Sequence, residues 1–214
     1  MSRTKTACIA AMLASVSTST SAIACDHWTG DLDVFNGCKR RAAKTTLVSL
    51  ADAPAQKFAS VIQLRKSLQD DAAMRELDIS SGETSQRVDQ ENRNVYVYAV
   101  IYKVTREDDN DYHVIVGDPG CSSASCFMNV EVSALPKEAW RQSAFRTVRE
   151  KLVRILGFSP GAGYADVPER PRVRIDGSLF YDIDHALGTS GPAGFKPSTS
   201  WEIHPVRKLK KLQP

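Results

Sequence analysis

The chain has 214 residues, 42% of them hydrophobic, with 28 Lys and Arg against 25 Asp and Glu. Two of the basic residues, Arg3 and Lys5, lie in what reads as an export leader; without it 26 basic residues face 25 acidic ones, a net charge of +1. That balance removes any argument from charge for a nucleic-acid partner, and the length suits one domain with an N-terminal appendage.

Residues 1–24 carry the marks of a signal peptide. Arg3 and Lys5 precede a modest apolar stretch from Ala7 to Val16, and Ala22-Ile23-Ala24 offers small residues at the positions signal peptidase reads. The apolar stretch falls short of the ~20 residues that span a bilayer, and no later segment is longer, so no transmembrane segment is expected. The expected location is periplasmic or secreted. Ala22-Ile23-Ala24-Cys25 also loosely resembles a lipobox, and membrane anchoring follows only if Cys25 is lipidated. With Cys8 removed, Cys25, Cys38, Cys121 and Cys126 remain. An even set in an oxidising compartment predicts disulfides, by proximity Cys25–Cys38 and Cys121–Cys126.

Residues 25–84 form an N-terminal, partly helical region, in which Phe58, Val61, Ile62 and Leu68 predict a helix over 54–78. Ser80 to Asn94 is polar and reads as a linker into a main domain over residues 85–214. Val95–Val104 is rich in β-branched and aromatic residues, hence a strand, with Tyr96, Tyr98 and Tyr102 in a row that either stacks a ligand or joins the core. The acidic run Glu107–Asp111 reads as a solvated turn. Tyr112–Gly117 is a second strand, and Cys126–Val132 a third, its Met128, Val130 and Val132 opposing Asn129 and Glu131. From Pro136 to Gly157 an apolar stripe including Trp140, Phe145, Val148 and Leu152 predicts a helix with a solvated basic face. Arg172–Ile183 and Ser200–Arg207 are the fourth and fifth strands, followed by a frayed basic tail, Lys208 to Lys211. The order β-β-β-α-β-β predicts a mostly β protein, a five-stranded OB-like Greek-key barrel preceded by the N-terminal helical region.

The chemistry gathers on the last two strands. Phe180-Tyr181-Asp182-Ile183-Asp184-His185 and Trp201-Glu202-Ile203-His204-Pro205-Val206 flank a Gly/Pro/Ser-rich loop. Alternation puts Asp182, Glu202, His204 and Val206 on the outer face, with Asp182 opposite Glu202 and His185 folding over from the loop; a bulge at Gly177 would alter that parity. The candidate catalytic groups are His113, Asp182, His185, Glu202 and His204, and the candidate metal ligands Asp182, His185, Glu202 and His204. Tyr112, Phe180, Asp184 and Trp201 are the candidate ligand contacts. Carboxylates beside imidazoles can hold a divalent metal ion, tune a histidine for acid–base work, or simply pin a loop. No G-x-S-x-G, H-E-x-x-H, Walker A or dinucleotide fingerprint is present.

Asp111-Tyr112-His113-Val114-Ile115, Phe180-Tyr181-Asp182-Ile183-Asp184-His185 and Glu202-Ile203-His204-Pro205-Val206 together resemble a bacterial family of small OB-like domains. Its members carry a D-Y-H-x-[VIL] strand, an F-[YW]-D-x-x-H segment and a terminal E-[LI]-H-P-V strand. The resemblance covers about residues 90–207 and implies the domain, not a mechanism. The leading expectation is an exported OB-like binding domain that recognises a polar or extended ligand through its last loop and outer face. Oligosaccharide, nucleic acid and small molecule remain open as that ligand. The alternatives are a metal-dependent hydrolase, acting on phosphodiesters, and a structural envelope-associated protein.

Overall fold

The computed structural model describes residues 30–185 and 190–213. The leader, its cleavage point and Cys25 lie outside the described residues. Five strands close a barrel: β2 (Asn94–Arg106), β3 (Tyr112–Gly117), β4 (Phe127–Val132), β6 (Arg172–Tyr181) and β7 (Trp201–Lys211). Their order is β2-β3-β4-β7-β6, and β6 returns to pair with β2. All these pairings are antiparallel except β4 with β7. The expected OB-like order is therefore present, with a helix, α4 (Ala139–Leu156), between the third and fourth barrel strands.

One long strand makes closure possible. The first half of β2, Asn94 to Val100, pairs with β6, and its second half, Val100 to Arg106, pairs with β3. A bulge between Ile101 and Lys103 separates the halves, and a bulge bends a strand enough to let it serve two neighbours. Inside lie alternate residues such as Val97, Val114, Val130, Ile175 and Ile203, and α4 adds Val148, Leu152 and Ile155 to the same cluster. Gly157, at φ 80°, ends that helix in the left-handed conformation that glycine adopts without a Cβ penalty. Trp140, assigned by spacing to the buried stripe, is 82% exposed, because it stands at the helix's first turn beyond the barrel's edge. Arg149, assigned to the solvated face, is instead buried with its guanidinium 3.8 Å from the Tyr112 ring centre.

Three other expectations are corrected. Residues 54–78 are not one helix but β1 (Gln56–Phe58), α2 (Val61–Lys66) and α3 (Asp71–Arg75). Ser60 and Asp70 accept hydrogen bonds from the amides of Gln63 and Ala73, so each starts a new helix, and β1 adds a parallel strand to β2. The basic tail is not frayed: Leu209 and Lys211 pair with Ile175 and Val173 on β6. Val206 faces the core rather than the outer side, because register shifts around Gly177 let β7 carry extra residues and reverse its parity after His204. Gly177 sits where the two strands nearly touch; a Cβ there would lie 2.5 Å from the Ile203 Cγ2.

The segment before the barrel packs onto it. Val61, Leu64 and Met74 belong to the barrel's own core cluster. Phe35 donates its amide to the carbonyl of Leu135, and a short helix, α1 (Arg41–Lys44), lies over the outer side of β6 and β7. A two-residue strand, β5 (Ala165–Asp166), pairs with β2. Cys121 and Cys126 form a disulfide, and Cys38 is also disulfide-bonded. Among the described residues no helix is long and apolar enough to cross a membrane.

Candidate functional site

The outer faces of β3, β4, β6 and β7 carry polar residues at alternate positions, as a half-solvated sheet would. They are not solvated here. His113, Asn129, Glu131, Asp182, Glu202 and His204 are all buried, because residues 34–48 run across this side of the barrel. Asn36 donates its amide to the Asp109 carbonyl, and Ser133 donates its hydroxyl to the Lys44 carbonyl. The acidic run, expected as a solvated turn, is folded inward for the same reason: Asp111 is buried and its Oδ1 accepts the amide of Ala134 at 2.6 Å.

Three histidines organise the site. His113 on β3 faces Glu131 on β4 in register, with Nδ1 2.5 Å from Glu131 Oε1 and 3.1 Å from Glu107 Oε1. Burial opposes a charge on His113, but Glu131 and Glu107 outweigh it and hold its pKa well above the ordinary histidine value. His204 on β7 lies with Nε2 3.1 Å from Asp111 Oδ2 and Nδ1 3.5 Å from Glu202 Oε2. Burial, reinforced by Lys44, pushes His204 well below its ordinary value, so it is neutral. Burial and the neighbouring carboxylates Glu131 and Asp182 push Glu202 well above its own. His185, at the start of the β6–β7 loop, meets Asp182 Oδ2 through Nδ1 at 2.5 Å, and that hydrogen bond raises its pKa. Asp182 also accepts the amide of Asp184, so it closes a turn as well as pairing a histidine. The loop is fixed from the other side by Arg75, which donates to the His185 carbonyl.

A lysine reaches this group from above. Lys44 lies 3.4 Å from Asp109 through its ammonium. Burial works against that charge, but Asp109, Asp182, Asp111 and Glu202 outweigh it and raise the Lys44 pKa. Asp109 itself is pushed up to about 6 by burial and by the nearby Asp111.

An open cleft of about 830 Å³ gives access. Its walls are the turn after β2, with Glu107, Asp108 and Asp109, and the opposing Lys39, Lys44, Tyr164 and His185. This is the position between the first and fourth connecting loops at which OB barrels take their ligands.

The structure divides the residues singled out from sequence. His185 and Asp182 stand at the cleft, and Asp184 lies beside it in an ion pair with Lys39 at 3.3 Å. His113, Glu202 and His204 lie beneath. The four residues considered as one metal set form two pairs, Asp182–His185 and Glu202–His204, and Glu202 stands opposite Phe180 rather than Asp182. Among the described residues the group whose ligand atoms all lie within 4.8 Å of one another is Glu107, His113 and Glu131. Tyr112 and Trp201 belong to the barrel core, where the indole donates to the Gln69 carbonyl. Phe180 is buried under Arg40, 4.6 Å from its ring centre, with Arg87 and Lys44 also within 6 Å. None of these three aromatics reaches the cleft. Tyr96 and Tyr98 are half-buried in an edge-to-face pair, and Tyr102 is buried with its hydroxyl donating to the Asp118 carbonyl.

Sequence reasoning missed Lys44, Asp109 and Tyr164, and passed over Glu107, Asp111 and Glu131 as turn or strand surface. Glu131 had a signal, since it shares a parity with Asn129 on the strand pairing with His113. Lys44 had none.

Comparison of the chain with protein-family models, with curated proteins and with solved structures finds no match.

Proposed function

We propose that the protein is an exported OB-like binding domain that takes a polar ligand in the cleft between the β2–β3 turn and the β6–β7 loop. The observation that carries this reading is the coincidence of that cleft with a dense set of ionisable side chains, Lys44, Glu107, Asp109 and His185 among them. Burying so many charged groups costs free energy that a merely packed surface would not spend, and such sites are often functional. Carboxylates accept hydrogen bonds from hydroxyl and ammonium groups and repel phosphates. A hydroxyl-rich ligand such as an oligosaccharide therefore suits this cleft better than a nucleic acid. Export is supported by the leader pattern in residues 1–24 and by the Cys121–Cys126 disulfide.

The test is a titration of the purified mature protein with neutral oligosaccharides and with a single-stranded DNA dodecamer, followed by amide NMR shifts. Saturable shifts at residues 107–109 and 185 with a sugar support the reading. Shifts only with DNA, or shifts confined to another face, count against it. The mass of the mature N-terminus separates a free Cys25 from a lipidated one.

A hydrolase is the second reading, and His185 is what favours it. Of the three histidines described, it alone is half-exposed, and Asp182 orients its ring as a carboxylate orients a general base. In that reading His185 takes a proton from water and Asp182 holds the imidazole in place. Hydrolysis of bis(p-nitrophenyl) phosphate that disappears in His185→Ala would establish it.

A further inference from the structure

We propose that Glu107, His113 and Glu131 form a binding site for one divalent transition-metal cation of the zinc class, at the floor of the cleft. The inference goes beyond the binding reading above, because the ion is held whether or not an organic ligand occupies the cleft.

The first observation is convergence. One ligand atom from each of the three residues lies within 4.8 Å of the others, and His113 Nδ1 is 3.1 Å from Glu107 Oε1 and 2.5 Å from Glu131 Oε1. In a tetrahedral zinc site with metal–ligand bonds near 2.0–2.1 Å, neighbouring donor atoms stand about 3.3 Å apart. The Glu107–His113 separation already matches, and Glu131 needs only a small side-chain rotation to do so.

The second observation is independent of the first. His113 is 1% exposed and Glu131 3%, yet neither ring nitrogen of His113 nor Glu131 Oε2 has a hydrogen-bond partner. The close approach of Nδ1 to two carboxylates thus lacks the direction of an N–H···O bond. Buried polar atoms left in this way are costly, by roughly 1–3 kcal/mol each. A cation between the imidazole and the carboxylates satisfies lone pairs that hydrogen bonds do not.

The donor set selects the ion. Calcium takes six to eight oxygens and has little use for an imidazole, whereas one nitrogen with two carboxylates is ordinary for zinc and for manganese or iron. The scaffold is rigid where it must be: His113 and Glu131 are cross-strand partners, and the Glu107 amide and carbonyl both bond within the β2–β3 turn. Access is through Glu107, whose side chain is part-exposed and lines the cleft. Tyr164, edge-on to His113 at 5.8 Å between ring centres, covers the imidazole from the same side.

The experiment is metal analysis of the mature protein after incubation with zinc chloride and desalting, with isothermal titration for affinity. One equivalent of zinc is expected in the wild type, with affinity reduced 10- to 100-fold in Glu107→Gln and in Glu131→Gln. Asp108→Asn, an exposed neighbour, should bind as the wild type does. Glu107→Gln changes a part-exposed side chain by one atom, so its folding can be verified by circular dichroism before the titration. Cobalt(II) in place of zinc should give visible absorption bands that His113→Ala removes. Less than a tenth of an equivalent in the wild type overturns the proposal. So does full binding by Glu107→Gln, or loss of binding in His185→Ala with Glu107→Gln unaffected, since either result puts the ion elsewhere.

Discussion

Arg40 and Glu91 face each other as a two-pronged ion pair inside the protein, with Nη1–Oε1 at 2.8 Å, Nη2–Oε2 at 2.6 Å and neither side chain reaching solvent. The remaining capacity of both groups is also used. Arg40 donates to the carbonyls of Tyr181 and Gln86, and Glu91 accepts the amides of Tyr181 and Val88. Three segments far apart in the chain thus meet at one charge pair: α1, the stretch before β2, and the end of β6.

Breaking that pair from one side should be costly. Glu91→Ala leaves a buried guanidinium without its anion, and an uncompensated charge of this kind destabilises by about 3–5 kcal/mol. Urea unfolding should show the loss, and Arg40→Met combined with Glu91→Leu should recover a large part of it. A single-mutant loss below about 1 kcal/mol would mean that water reaches the site.

Gly177→Ala tests the closest approach of β6 and β7. Alanine in a strand normally gains a few tenths of a kcal/mol by restricting the unfolded chain. Here the added Cβ would meet Ile203 Cγ2 at 2.5 Å and the Pro205 carbonyl oxygen at 2.6 Å, and the second is backbone that cannot swing away. Overpacking dominates, so the variant should lose about 2–3 kcal/mol in thermal or urea melts.

The His185–Asp182 pair should shape stability against pH. His185 has its pKa raised from 6.5 on folding, chiefly by the bond to Asp182, so its contribution is full below pH 6.5 and fades as pH rises through the folded value. Asp182 has its pKa lowered from 3.8 despite burial, because His185 and Lys44 favour its charged form. Its contribution is full above that pH and fades as pH falls toward the depressed value. Both are present together between about pH 4 and pH 6.5. Melting temperatures measured from pH 4 to 9 should therefore fall on the alkaline side in the wild type, and fall less in His185→Asn.

Glu202 should behave as a neutral acid. Burial and then Glu131 and Asp182 raise its pKa well above 4.5, so the folded protein holds a proton there that the unfolded chain releases. Stability from this group is thus present at low pH and declines above pH 4.5. Glu202→Gln mimics the protonated form and should stay within about 1 kcal/mol of the wild type at pH 5 while outlasting it at pH 8. Greater loss at pH 8 than at pH 5 would show that the carboxylate, not the acid, is the folded form.

The barrel was legible because alternation is a local signal: Met128, Val130 and Val132 against Asn129 and Glu131 mark β4 without any knowledge of its neighbours. The same signal tells two faces apart but not which of them stays wet. Asp182, Glu202 and His204 were therefore found on the outer face without any sign that residues 34–48 bury it. Lys44 belongs to a helix of 4 residues, too short for any periodicity, and reaches its partners only through tertiary packing. The helix expected over 54–78 failed for a related reason. Apolar spacing continued across Ser60 and Asp70, whose side chains start new helices by capping them. Register was the other blind spot, since the shifts around Gly177 depend on how closely two strands approach.

The covering of the polar face by α1 has a consequence for the order of assembly. Arg40 and Lys44 leave the ribosome early, while Tyr181, Glu202 and His204 leave among the last, with 141 residues separating Arg40 from the Tyr181 carbonyl it bonds. Until the C-terminal strands arrive, the early cations have no anions to meet and the cleft has only one wall. The chain can therefore hold no half-built site during its synthesis, and anything recognised in the cleft is recognised only by a finished molecule.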